Sequence, residues 1–345
     1  MVMRSRSDQL ATFARLYVEA LTELEPADLP RAPCLGYGRG GVAHVLHRAG
    51  VAEHRRELLD HAAAWALAGI RTANAFQLRG WPKASYSRGL AGLQAITAII
   101  ADARGDHAKR QRAITRFIDV NRRARGSIDL FQGTAGRLAG TAILQRACPD
   151  PRLAALGDEL AATLRRALRR RTAAGVLPTG IAHGWPGVVL GLIEWERIRP
   201  SAAPDALELR AHLVAQRAHE PPGGASWAHG HGGMALLWAR GFEVFADERF
   251  RTWGREAGEL AFTHASDSIM LTSGAPGVAF ALLALADVEP DGPWRDRALV
   301  LCLRALAEVA VPPEDPYGLW SGLSGLYCLV TDLLGPSRGF PILEA

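Results

Sequence analysis

The sequence predicts an all-α fold: a seven-fold α/α toroid, a double-layered barrel of outer and inner helices. Three observations carry this. First, a G-x-x-G element recurs along the chain, starting at Gly38, Gly89, Gly133, Gly184, Gly230, Gly274 and Gly322, with spacings of 51, 44, 51, 46, 44 and 48 residues. A period in this range marks a repeat architecture. Second, each element sits between a polar-faced helical stretch and a shorter, almost wholly apolar one. Third, β-branched alternation over four to eight residues is scarce, so few strands are expected.

The first helix covers 9–24, where Leu10, Phe13, Tyr17, Leu21 and Leu24 fall at helical spacing. The other outer helices are expected at 52–73, 108–123, 151–173, 203–219, 249–265 and 293–310. Charges such as Arg165, Arg166 and Arg169 mark their solvent faces. The inner helices are expected at 41–49, 90–104, 135–147, 187–198, 233–247, 277–287 and 323–334. Neither end reads as a polar capping repeat, which an open solenoid needs, so the array is expected to close into a ring. The repeats leave no stretch for a second unit, and residues 1–345 read as one domain. The glycines are expected to form turns before the inner helices, allowing positive φ and close helix approach. Such turns would point free N–H groups into the barrel mouth, where an anion or oxyanion is favoured.

Apolar content of 48% suits a large core. The net charge of +5 is spread along the chain, and without a basic–aromatic motif nucleic-acid binding is not expected. Cys34, Cys148, Cys302 and Cys328 have no close spacing and read as reduced thiols of a cytoplasmic protein. Met1 to Asp8 lacks an apolar signal segment, and no uncharged apolar run is long enough to span a membrane.

Ala182-His183-Gly184 in the fourth element, the seven-fold G-x-x-G repeat and the ending Phe340-Pro341-Ile342-Leu343-Glu344 together resemble the lanthionine synthetase C-like family over essentially the whole chain. The resemblance implies an α/α toroid with a central cavity. It also implies a cyclase that adds a cysteine thiolate to dehydroalanine or dehydrobutyrine in a dehydrated precursor peptide and then protonates the enolate. A stand-alone chain of this kind needs partners, such as a separate kinase and lyase, to dehydrate the peptide. By the same resemblance His183 is the acid or base of the reaction and Asp129 orients it or shares that work. Without the resemblance, a lone histidine also reads as structural and Asp129 as a loop cap.

The chain departs from the family at its zinc site. Ala228 stands where the zinc-dependent cyclases carry a cysteine, and Thr272-Ser273 where they carry Cys-His; Gly224 replaces an arginine often found before the first cysteine. A methyl group and two hydroxyls are not the thiolate and imidazole donors that zinc selects. No metal or other cofactor is therefore expected. Zinc loss does not exclude the chemistry. A thiol with pKa ~8.5 is roughly a tenth ionised near pH 7.5, while acid–base catalysis is worth ~10²–10⁴-fold. The larger loss is in positioning the sulfur.

The fifth element adds His229 and His231, as further acid–base groups or, with His183, an alternative metal site. Candidate peptide-binding residues are Tyr37, Arg39, Arg88, Trp185, Trp227, His231 and Trp320, as an aromatic collar with two anion-pairing arginines; Tyr86 and Tyr317 also lie near it. Cys34 is a candidate reactive thiol, and Glu314-Asp315 a candidate carboxylate pair. Two other readings are a non-catalytic protein that binds a modified peptide or scaffolds its biosynthetic enzymes, and, by fold analogy alone, a carbohydrate-active barrel.

Overall fold

The computed structural model describes residues 5–27, 32–75, 83–124, 126–170, 179–219, 223–310, 316–341 and 343. Among these the regular structure is all helical. The outer helices are α1 (Arg6–Glu23), α3 (Arg56–Ala75), α5 (His107–Arg122), α7 (Pro151–Arg169), α9 (Ala203–Ala215), α11 (Glu248–Thr263) and α13 (Trp294–Ala307). The inner helices are α2 (Arg39–Ala52), α4 (Leu90–Ala103), α6 (Thr134–Ala147), α8 (Trp185–Glu196), α10 (His231–Phe245), α12 (Ala275–Val288) and α14 (Leu323–Leu334). Short 3₁₀ turns at Gln216–His219 and Glu308–Ala310 finish the stretches expected as the ends of outer helices. The expected tail of the fourth outer helix, 171–173, and the Glu314-Asp315 pair lie outside the described residues.

The two sets of helices differ as their patterns predict. In α12 every residue from Ala275 to Leu285 is buried, because this helix touches neighbours on all sides. In α7 the buried residues include Leu153, Leu156, Leu160, Leu164 and Leu168, one stripe facing the inner ring. Asp106, Asp150 and Asp247 cap outer helices through first-turn amides. The inner helices have glycine N-caps with no side-chain cap.

Two expectations about the glycines are corrected. The G-x-x-G element is not a turn ahead of the inner helix: its first glycine is the N-cap and its last lies inside the first helical turn. There a loop carbonyl six residues upstream crosses the helix start. A Cβ on Gly187 would lie 1.9 Å from the Ile181 carbonyl oxygen, and one on Gly277 2.0 Å from that of Leu271. Close approach, rather than positive φ, thus demands glycine; of the N-cap glycines only Gly38 has positive φ. Nor are the helix-start amides free. Loop carbonyls accept them, as in Thr134 N–H to Ser127 O (2.9 Å), His231 N–H to Gly224 O (3.0 Å) and Ala275 N–H to Ser268 O (2.9 Å). An anion site made of open N–H groups is not formed at these helices.

The array closes: α14 packs against α2 and α1. A belt of hydrogen bonds also joins all seven loops. Gly36 N–H donates to Ser87 O (2.7 Å), Phe131 N–H to Ala182 O (2.9 Å), and Ala182 N–H to Ala228 O (3.0 Å). Ala228 N–H donates to Thr272 O (3.0 Å), Leu271 N–H to Trp320 O (2.8 Å), and Trp320 N–H to Gly36 O (3.0 Å). The remaining link is a side chain: the Ser87 hydroxyl donates to Phe131 O at 2.8 Å.

Candidate active site

The belt places Asp129 and His183 side by side. Phe131 and Ala182 are hydrogen-bonded neighbours, so the residues two before and one after them meet. His183 Nδ1 lies 3.6 Å from Asp129 Oδ1, just beyond hydrogen-bond range. The carboxylate is held independently. Oδ1 accepts the Gln132 N–H at 2.7 Å, and Oδ2 accepts the Ser127 hydroxyl. Asp129 is buried, whereas the His183 side chain is 33% exposed, so the imidazole can reach a ligand while its partner stays fixed.

His229 joins this pair, its ring stacked on that of His183 at 5.9 Å between centroids. Its Nδ1 faces Thr179 O at 3.4 Å. His231 begins α10, half-buried. Among the described residues no three His, Cys, Asp or Glu side chains gather closely enough to hold a metal ion, so the alternative three-histidine site is not formed there.

On the other side of His183, Phe131 meets it edge-on at 5.3 Å. The Arg88 guanidinium lies 5.2 Å from the centroids of both Phe131 and Tyr37. Tyr37, Arg88 and His183 are thus brought together through Phe131, which the sequence reading did not single out. Trp185 starts α8, half-buried beside the histidine's loop. Arg39 is placed differently. It is buried, its Nε donating to Pro26 O at 2.9 Å and its Nη1 to Thr72 Oγ1 at 3.2 Å, so its guanidinium ties α2 to neighbouring chain. Tyr86 is buried against Gly140, and burial pushes its phenol up. Tyr317 is half-buried, and its carbonyl accepts the Ser324 hydroxyl at 2.6 Å.

Among the described residues, aromatic side chains occupy the centre of the toroid. Trp227 and Trp320 are buried and 5.4 Å apart, and Phe340 from the C-terminal segment stacks on Trp227 at 4.6 Å. Leu343 also enters, and the remaining space among these side chains, Leu130 and Phe131 is about 10 Å³, one water at most. Asp332 aims this segment inward. Its buried Oδ2 accepts the Arg338 and Gly339 N–H groups, both at 2.9 Å, while Oδ1 pairs with Arg48. The resemblance pointed to the tail's sequence but not to its place in the cavity.

The residues at the family's zinc positions do not fit that metal. Ala228 offers a methyl group, and its amide and carbonyl belong to the belt. The Ser273 hydroxyl donates to Met270 Sδ at 3.6 Å. Cys34, Cys148, Cys302 and Cys328 are all buried. The Cys34 Sγ faces the Tyr37 carbonyl at 3.5 Å.

A closed ring of seven inner–outer helix pairs with a histidine–carboxylate pair at its mouth defines a LanC-type α/α toroid. The family model for lanthionine synthetase C-like proteins matches residues 31–338, and the chain belongs to that family. It is 26% identical over 294 residues to the LanC-like protein GCL1 of Arabidopsis thaliana, covering 72% of this chain and 67% of that protein. It is 27% identical over 124 residues to glutathione S-transferase LANCL1 of Danio rerio, a match covering 34% of this chain and only 31% of the fish protein. The structure is similar to that of nisin cyclase, with a TM-score of 0.72 at 14% identity over 97% of this chain and 96% of that one. Among the described residues no helix is long and apolar enough to cross a membrane.

Proposed function

We propose that this chain promotes thioether ring closure in a dehydrated precursor peptide without bound zinc. The His183 imidazole takes the proton of a peptide cysteine. The thiolate adds to the β-carbon of dehydroalanine or dehydrobutyrine, and the enolate regains a proton at its α-carbon. One S–H is thus added across one C=C, with no oxidation. Asp129 orients the imidazole and stabilises its cationic form, and His229 is a second proton carrier. Tyr37, Arg88, Trp185, Trp227, Trp320 and His231 face or support the peptide path. The peptide arrives dehydrated by a separate kinase and lyase in the cytoplasm.

The observation that carries this reading is the His183–Asp129 pair, 3.6 Å apart at the mouth of a family member's toroid. The fish relative's name, a glutathione S-transferase, also denotes chemistry of a thiol. The test follows loss of alkylatable thiol in a dehydrated, cysteine-containing peptide. The protein's own thiols stay silent: all four are buried, and burial pushes Cys148 and Cys302 up to about 12 and Cys328 to about 11. Loss that survives chelator and falls ~10²-fold or more in His183→Ala is expected; loss no faster than background overturns the reading.

A second reading has its own support. The aromatic centre closed by Phe340 leaves about 10 Å³, which favours a protein that binds the modified peptide at its rim without closing rings. Tight peptide binding together with background thiol loss would select it.

A further inference from the structure

A cavity of about 150 Å³ opens on the outer wall between α3, α4 and α5. Leu67 and Ile70 form its apolar floor, and Leu67 is 38% exposed. Along one side stand Lys109, Arg112 and Arg116, at positions i, i+3 and i+7 of α5 and so on one face.

These cations differ from several others on the outer wall, which bridge to carboxylates of a neighbouring outer helix: Arg122 to Glu159 at 3.1 Å, Arg169 to Glu208 at 2.5 Å, Arg297 to Glu259 at 2.6 Å. Lys109, Arg112 and Arg116 make no ion pair among the described residues. Burial pulls the Lys109 ammonium below its ordinary value, and Arg104 and Arg112 push the same way against Asp106. The face therefore carries positive charge that its own surroundings do not neutralise.

A second observation is independent of charge. Gln94 of α4 is 5% exposed and lines the same cavity, yet its amide has no hydrogen-bond partner among the described residues. The side chain is mostly buried, but its amide atoms stay open to the cavity, where they can both give and accept a hydrogen bond.

We propose that this groove docks an acidic segment of the peptide substrate, with one apolar side chain seated on Leu67 and Ile70 and carboxylates on Lys109, Arg112 and Arg116. The cavity lies below the ~300–1,000 Å³ of sites that enclose a small molecule, but it suits a single apolar anchor of a helical segment. Lys109 to Arg116 spans about two helical turns, so carboxylates one turn to either side of the anchor would meet the cations. The Gln94 amide would receive a polar group beside the anchor. Calling the occupant the substrate rests on the cyclase reading; the docking test uses no ring-closure chemistry, so the two can fail separately.

The test is fluorescence anisotropy with a fluorescein-labelled helical peptide carrying one leucine flanked by glutamates a turn away on each side. A control peptide has glutamines in their place. Saturable binding of the glutamate peptide is expected. It should weaken at least tenfold for the control peptide, at least tenfold in the Arg112→Glu/Arg116→Glu variant, and markedly when salt is raised from about 50 to about 500 mM. Both arginines are exposed, so the variant should fold, as circular dichroism will check. Leu67→Asp tests the floor from a different helix and should also abolish binding. Absence of saturable binding, equal binding of the two peptides, or an affinity unchanged by charge reversal would overturn the proposal.

Discussion

Acidification from pH 7 to pH 5 is expected to weaken the fold through the buried imidazoles of α2, of which His47 can be given a magnitude. His47 of α2 is 7% exposed, and burial, then Arg338, then Arg48 lower it from an ordinary 6.5 to about 4. His44, one turn earlier, is held well below its ordinary value by burial, then by Arg48, His47 and Arg338. Asp332, Cys328 and Tyr327 complete the surroundings of Arg48. The folded state refuses a proton that the unfolded chain accepts. The stabilisation is therefore full above about pH 6.5 and is lost as pH falls from there towards 4. For His47 alone, moving from 6.5 unfolded to about 4 folded, the loss between pH 7 and pH 5 is about 2 kcal/mol. With an unfolding entropy of ~2.1 cal/mol/K per residue over 345 residues, this is about 3 °C in Tm. The assay is thermal unfolding of the wild type and His47→Gln at both pH values. Groups other than the adjacent His44 titrate alike in both proteins, so the difference between the two pH-induced drops reports His47 together with its push on His44. The wild type should lose about 3 °C more than the variant; equal losses would refute the reasoning.

Other perturbations act on the belt and the aromatic centre. Gly187→Ala drives a Cβ to 1.9 Å from the Ile181 carbonyl, on the loop that carries His183, and to 2.9 Å from Leu130 Cβ. It should cost about 3 kcal/mol in urea unfolding and depress thiol loss as well. Asp332→Ala leaves Arg48, 3% exposed, without its partner and the turn at Arg338 and Gly339 without its acceptor. A loss of ~3–5 kcal/mol is expected, with a red-shifted tryptophan emission as Phe340 leaves Trp227. Ser87→Ala removes the shorter of two hydroxyl links to Phe131 O, leaving that of Ser85 at 3.3 Å. It should cost about 1 kcal/mol by denaturant titration.

The fold was legible because its repeat has a steric cause. At six of the seven inner helices a loop carbonyl crosses the helix start, as Ile181 O does at Gly187, and no side chain fits there, so glycine recurs in register. Periodicity reports which face of a helix is apolar but not where a loop carbonyl travels. The glycines were therefore read as open turns with free amides, when they cap and enter the helices. That His183, Trp227 and Trp320 stand on the loops beside the inner helices was legible from their places near the glycines, whereas Asp129 was marked out only by the resemblance. Phe131 was not, because an aromatic beside an apolar helix looks like core. Phe340 and Leu343 depend on a path set by Asp332, and such long-range direction leaves no local pattern. Arg39 looked like a loop cation, but it is the first residue of α2 and bonds Pro26 and Thr72.

The belt also bears on how a site can keep its geometry without a metal. Where a zinc ion is bound, it fixes the distance between loops from outside the backbone. In this chain the loops are tied directly, because Phe131 N–H meets Ala182 O and Ala182 N–H meets Ala228 O. Ala228, which offers no metal ligand, is a link through both its amide and its carbonyl. The Asp129–His183 separation is set by residues one and two positions from those bonds, not by long side chains free to rotate. Positioning of this kind is what the proposed proton-transfer pair would need, and it does not depend on thiolates in the neighbouring loops. What the belt cannot replace is the grip of a metal on sulfur. In the proposed ring closure, the aromatic and cationic surface around Phe131 and Arg88 would hold the peptide instead, together with the proposed contact on the outer wall.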